Sequence, residues 1–162
     1  MDYIAQKGAS AFGSRLRRLI DRLDREVQDI YRSADVGFEP RWFSAFIAIR
    51  DAGSLTVGEI AERTGVTHAA VSQVRSAMEA AGLVQSESDP SDGRVKRLSL
   101  TPKGVAEAER LEPLWAAIAA ATDQFLGEGA PQMLAQLDGL DTALSRQGLK
   151  DRVIEQMKAK GK

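Results

Sequence analysis

The stretch LTVGEIAERTGVTHAAVSQVRSAMEAAGLV, residues 55–84, decides the fold. Thr56 and Glu59 stand at capping-box spacing, so a short helix opens there. Gly65 breaks it, because glycine tolerates the positive φ of a tight turn. Thr67 then caps a second helix, running to about Ala81 with Gly82 as its stop. Ala61 is small enough to let the two helices approach, and Val71 fills the space between them. Ile60, Val66 and Val74 are expected to complete the internal face. His68, Ala69, Ser72, Gln73 and Ser76 are left outward on the second helix. Small and polar side chains there suit entry into a major groove about 12 Å wide. A helical hairpin buried in a core could share the Ala61–Gly65–Val71 spacing. The two caps, the Gly-Leu-Val exit and a basic hairpin directly after it favour a helix-turn-helix.

That hairpin is read from strands at 83–87 and 95–100, joined by SDPSDG, a loop rich in turn formers. Thr101 caps a further helix with Pro102 in its first turn, running toward Leu126. Pro113 lies inside it and is expected to kink it or remove one hydrogen bond, and Gly127 and Gly129 end it. Pro131 opens a last helical region, apolar at Met133, Leu134, Leu137, Leu140 and Leu144. Gly148 breaks it before Leu149, Val153, Ile154 and Met157. On the amino-terminal side, the first thirteen residues read as a loose arm, and Ser14 as the cap of a helix. Leu16, Leu19, Ile20, Leu23, Val27, Ile30 and Tyr31 give that helix an amphipathic stripe. Pro40 begins another helix, rich in aromatic residues from Trp42 to Phe46, which Gly53 ends.

The block 55–84 together with DPSDGRVKRLSLTPKG at 89–104 resembles the MarR (multiple antibiotic resistance regulator) family of winged-helix regulators. The marks are Asp92-Gly93-Arg94 in the wing and Leu100-Thr101-Pro102-Lys103-Gly104 after it. The resemblance implies a mainly α fold: a winged helix-turn-helix core with a two-stranded wing, flanked by N- and C-terminal dimerisation helices. As one domain over residues 1–162, it places the DNA-binding core at 40–104 and the dimerisation helices at 14–38 and 115–157. It implies a sequence-specific, DNA-binding transcriptional regulator, by family default a repressor. Arg94 would enter the minor groove, where narrow A·T-rich DNA concentrates negative potential. Asp92 would orient Arg94. Lys96 and Arg97 would meet phosphates, although strand alternation sends them to opposite faces, so that one of the two does so.

On the recognition helix, Gln73 has the geometry for a bidentate contact to adenine. Thr67, His68, Ala69, Ser72 and Ser76 complete the surface offered to bases or phosphates. Many relatives carry an arginine where Gln73 stands and an apolar residue where Arg75 stands. Arg75 is therefore expected to cover the helix flank. The family also responds to small aromatic or anionic effectors. Trp42, Phe46, Arg50, Leu111 and Trp115 are the candidates to line such a pocket, with core packing the alternative use of the aromatics.

One short recognition helix reads few bases. Two copies on half-sites one DNA turn apart remedy this, so a homodimer on a near-palindromic operator is expected. The apolar stripes of the flanking helices exceed what the central core needs.

Net charge is -1, so the electrostatic footprint on DNA has to be local, and Arg94, Lys96, Arg97 and Lys103 supply it. The chain has no cysteine and a single histidine, His68. This removes disulfides, thiolate metal sites and cysteine nucleophiles, so no metal, cofactor or catalytic residue is expected. With no glycine-rich phosphate loop and no paired carboxylates, an enzyme is not expected either. The other reading that survives is a winged-helix module that binds DNA architecturally or binds protein. No run of 18 apolar residues occurs and the amino terminus lacks a secretory h-region, so the expected location is cytoplasmic and no membrane partner is expected.

Overall fold

A computed structural model describes residues 2–89, 92 and 95–160 of the 162-residue chain. It divides into two compact units, Met1–Glu112 and Pro113–Lys162. The division falls at the proline expected to interrupt a helix.

In the first unit, helix α1 (Phe12–Ser33) follows a 3-10 helix, Ala5–Ala11. The expected loose arm is therefore helical among the described residues, and α1 begins ahead of Ser14. A 3-10 turn, Pro40–Trp42, leads into α2 (Phe43–Ala52). Strand β1 (Ser54–Thr56), α3 (Val57–Thr64) and α4 (His68–Ala80) come next. Strands β2 (Val84–Ser88) and β3 (Lys96–Leu100) form the wing, and α5 (Pro102–Gly129) starts directly after it. The sheet is antiparallel in the order β1-β3-β2, so the two expected wing strands are joined by a third. β1 is only three residues long, and its partners lie 45 and 43 positions downstream at Ser54↔Ser99 and Leu55↔Leu98, beyond the reach of local pattern.

The caps follow the sequence. Thr56 Oγ1 accepts from the Glu59 N–H and the Glu59 carboxylate accepts from the Thr56 N–H, a reciprocal capping box. Gly65 ends α3 at φ 70°, the left-handed conformation that costs glycine least. Thr67 Oγ1 accepts from the Ala70 N–H at 3.2 Å and opens α4.

The core has two parts. Phe38 lies edge-to-face with Tyr31, Trp42 and Phe46, at ring separations of 5.6, 5.6 and 5.2 Å. The edge-on geometry sets the positive ring rim against the negative ring face. Ile49, Leu55, Ile60, Val71, Met78, Leu98 and Leu111 form the second part, joining α2, the helix pair, the sheet and α5. Burying such side chains contributes about 1.5–3 kcal/mol each. Val66, expected inside, is 46% exposed, because the Gly65 turn directs the next residue outward before Thr67 caps α4.

In the second unit, α5 ends at Gly129, the second of the two glycines expected to stop it. Helices α6 (Met133–Arg146) and α7 (Leu149–Lys160) follow. Arg152 closes the joint between them. Its Nε donates to Gln147 O and its Nη2 to Ala143 O, both at 2.9 Å; the first satisfies the carbonyl just past the end of α6, and the second adds to the bond Ala143 O takes from the Gln147 N–H. α6 has no buried residue, and Leu134, Leu137, Leu140 and Leu144 are all exposed.

Candidate nucleic-acid interface

Ile60 and Ala61 on α3 and Val71 and Met78 on α4 are buried, which fixes the rotation of α4 about its own axis. His68, Ala69, Gln73 and Ser76 are consequently exposed on one side of its first turns, with Ser72 half-buried at the margin. The Thr67 hydroxyl is occupied as the helix cap. The His68 ring lies against Gly58: a Cβ added at Gly58 would stand 3.5 Å from its Cε1. Ser76 Oγ donates to Ser72 O at 3.1 Å and is turned along the helix. Gln73 is therefore the long polar side chain free to extend from this surface. Arg75 is half-buried on the flank, 3.7 Å from Glu79.

The carboxyl end of α4 is fastened to the start of α5. Thr101 Oγ1 donates to Gly82 O at 2.6 Å and accepts from the Gly104 N–H at 3.0 Å. The Thr101 N–H donates to Leu83 O, and Lys103 Nζ donates to Ala81 O at 2.7 Å. Three carbonyls at the end of the recognition helix thus find partners in the Leu-Thr-x-x-Gly segment. Lys103, counted by sequence among the charges available to DNA, is engaged here.

In the wing, Arg94 lies outside the described residues. Asp92 is exposed, and its N–H donates to Asp89 Oδ1 at 3.4 Å. Lys96 is exposed, with Nζ on Ser88 Oγ at 2.7 Å. Arg97 is half-buried and points the other way. Its Nε donates to Ser54 Oγ at 3.0 Å, its Nη2 to Ser54 O at 2.9 Å and its Nη1 to Asp89 Oδ2 at 3.3 Å. Glu59 Oε2 lies 3.4 Å from Nη2. Sequence reasoning missed Ser54, Glu59 and Asp89 as partners of the wing, since nothing local links residue 54 to residue 97.

The Thr56 N–H, reinforced by the Thr56 side chain and by the charges of Arg97 and Arg63, holds the Glu59 carboxyl below its ordinary value of 4.5. A depressed folded-state value means that the stabilisation is present above pH 4.5 and lost as pH falls through the folded value. Glu59→Gln should therefore lower the urea midpoint at neutral pH, and the gap to the parent should close below about pH 4. A gap of constant size down to acid pH would show that the carboxylate charge contributes nothing.

Of the five candidate effector residues, Arg50 lines a cavity of about 450 Å³, which it shares with Ile49, Leu100, Val105, Ala108, Glu109 and Glu112. Its guanidinium is bound to Glu112 at 2.7 Å and Asp51 at 3.0 Å, which holds it above its ordinary value. Trp42, Phe46 and Leu111 are buried in the core, and Trp115 is buried and belongs to the second unit. Among the described residues, no group of three or more metal-ligating side chains occurs and no helix is long and apolar enough to cross a membrane.

The sequence profile of the MarR family matches residues 36–95, from the loop before α2 to the wing. Over those residues the chain is similar to the MarR family. No curated protein matches it in sequence. Among solved structures it is similar to BpsR of Bordetella bronchiseptica, studied for the regulation of its DNA binding by 6-hydroxynicotinic acid. The identity is 26%, over 82% of this chain and 91% of that one, with a TM-score of 0.64. A probable transcriptional regulator from Pseudomonas aeruginosa is 27% identical, over 82% of this chain and 96% of that one, with a TM-score of 0.61. A mutant MarR from E. coli complexed with operator DNA shares the fold at 19% identity, over 89% and 99% of the two chains, with a TM-score of 0.65. The fold is the winged helix of these regulators, with α4 in the place of the second helix and β2 and β3 forming the wing.

Proposed function

We propose that the protein is a dimeric repressor that binds a near-palindromic operator and is released by a small aromatic or anionic ligand. The observation that carries this is the free face of α4: His68, Ala69, Gln73 and Ser76 exposed on a helix whose opposite side is locked into the core. In this reading Gln73 contacts a base, and Thr67, His68, Ala69, Ser72 and Ser76 border it. Arg94 enters the minor groove, Asp92 orients it, and Lys96 meets a phosphate by leaving Ser88. Arg97, bound to protein groups on the far side of the strand, is not assigned a phosphate. The exposed apolar residues of α1 (Phe12, Leu19, Ile20, Ile30) and of α6 and α7 supply a dimer surface.

The effector is placed at Arg50. An anionic ligand there exchanges with Glu112 for the guanidinium and lays its apolar body on Ile49, Leu100 and Val105. Of the other candidates read from sequence, Trp42, Phe46 and Leu111 are buried in the core of the first unit and are not assigned to the ligand. The regulation of BpsR by 6-hydroxynicotinic acid supports a ligand of this class.

Selection of bound duplexes from a random pool, repeated with candidate aromatic acids, tests the reading. Recovery of a two-fold symmetric sequence, bound at least about a thousandfold more tightly than random DNA at stated salt, is expected. Equal affinity for both would leave only an architectural role. Gln73→Ala should relax preference at one position per half-site, a change worth about 1–3 kcal/mol. Arg94→Ala should weaken binding to all selected sequences while fold and dimer stay intact. Unchanged base preference in the first variant, or unchanged affinity in the second, removes that residue from the interface.

A further inference from the structure

We propose that Arg97 is a positioning residue that fastens the wing to the helix-turn-helix, setting the wing's pitch relative to the recognition helix. The inference rests on the DNA-binding reading above and assigns a part in it to a residue that touches no DNA.

Arg97 sits in β3, the central strand, opposite Thr56 of β1 and Glu87 of β2. Leu98, its neighbour, is fully buried on the core face, so Arg97 lies on the other face. Its side chain is 30% exposed and reaches three separate parts of the fold. Ser54 lies at the start of β1 and takes two hydrogen bonds, one through its hydroxyl and one through its carbonyl. Glu59 is the reciprocal member of the capping box that opens α3. Asp89 follows β2 at the start of the wing's turn, where its N–H donates to Val95 O at 2.9 Å. The planar guanidinium presents its donors in a fixed fork, so binding several acceptors at once fixes an angle where a single ion pair would not.

A two-stranded ribbon extending from a sheet is otherwise free to twist about its base. The network around Arg97 ties the turn end of the ribbon, through Asp89, to β1 through Ser54 and to the first helix of the DNA-binding pair through Glu59. Wing and recognition helix then move as one body. A minor-groove contact and a major-groove contact are made together only if their separation is fixed beforehand, and this fixing lowers the cost of binding.

The charges give the test its sign. Asp89→Asn removes a negative charge from a surface that approaches a polyanion, so electrostatics alone would tighten DNA binding. Loss of the fastening would weaken it. The experiment measures affinity of the full chain for its selected operator across a salt series, for the parent, Arg97→Gln, Asp89→Asn and the double variant. Both single variants are expected to lose on the order of tenfold, the scale of one charge-assisted hydrogen bond, with an unchanged salt slope. The double variant should lose no more than either single one. If Arg97 met a phosphate, Arg97→Gln would lower the slope by about 0.9 per copy and Asp89→Asn would bind as tightly as the parent or tighter. That result, or unchanged affinity in both variants, overturns the proposal. Should Arg97→Gln fail to fold, Asp89→Asn alone carries the sign test. Hydrogen exchange of the Asp89 and Arg97 amides in the free protein reports on the fastening without DNA. Faster exchange in the variants is expected, and exchange at the parent's rate counts against it. A parent that does not distinguish its selected operator from random DNA would sink the repressor reading, leaving the exchange data to decide the fastening.

Discussion

Gly104→Ala should destabilise the winged-helix unit by about 3 kcal/mol or more, the upper range for overpacking, because the obstructing atom belongs to backbone. A Cβ at this position would lie 2.1 Å from Leu83 O and 3.0 Å from Leu83 C. Neither atom can rotate away. Leu83 O is also the acceptor of the Thr101 N–H, and Leu83 itself is buried, so relief by shifting that peptide breaks a second interaction. The sign makes the test informative. Gly104 lies in α5, and glycine-to-alanine changes in helices ordinarily stabilise by about 0.5–1 kcal/mol. Gly127, in the same helix, has nothing within 4 Å of its added Cβ, so Gly127→Ala should show that ordinary gain. Urea unfolding would move the two midpoints in opposite directions with similar slopes. A Gly104→Ala midpoint at or above the parent's would mean that the α4–α5 junction adjusts freely and does not hold the recognition helix. Total stability of a domain is about 5–15 kcal/mol, so the loss is large enough to deplete folded protein and DNA binding together.

The junction also shows what the sequence makes legible. Thr101 and Pro102 announce a helix start by local rules, but the reason for glycine at 104 is a carbonyl at 83 that only the folded chain brings near. The caps at Thr56 and Thr67 and the break at Gly65 were readable because each acts within a few residues. The outward set on α4 was readable because helical periodicity fixes which residues share a face. β1 was not, since three residues carry no periodicity and their pairing is long-range. Val66 was misplaced because a turn, unlike a helix, has no period to extrapolate. Arg97 illustrates the limit for charges. Alternation along β3 separates it from Lys96, but whether an arginine meets phosphate or protein depends on Ser54, Glu59 and Asp89, which are distant in sequence or masked by the turn chemistry around them. Trp42 and Phe46 lie in the core for a similar reason: aromatic residues at helical spacing satisfy a core as well as a pocket, and Phe38 packs against both.

Leu137→Asp combined with Leu144→Asp should convert the protein to a monomer and lower operator affinity by about 10²- to 10⁴-fold, the avidity that linking two half-site contacts provides. α6 buries no residue of its own, and Leu137, Leu140 and Leu144 are 40%, 43% and 50% exposed. They share one face at helical spacing, and α7 adds Leu149, Val153, Ile154 and Met157, all exposed. A monomer seldom leaves so many large apolar side chains in water. Removing the exposed half of each leucine from water contributes about 1 kcal/mol, and two-fold symmetry doubles every such term. Because these side chains are exposed within a single chain, aspartate there should leave its unfolding midpoint at micromolar concentration governed only by the lost association. Sedimentation would then give one chain where the parent gives two, and titration with a half-site duplex should give equal affinities for parent and variant. The full operator alone should distinguish them. A variant that stays dimeric places the interface elsewhere. One that becomes monomeric yet binds the full operator as tightly as the parent would show that each winged helix reads DNA independently, and the near-palindromic operator would lose its physical basis.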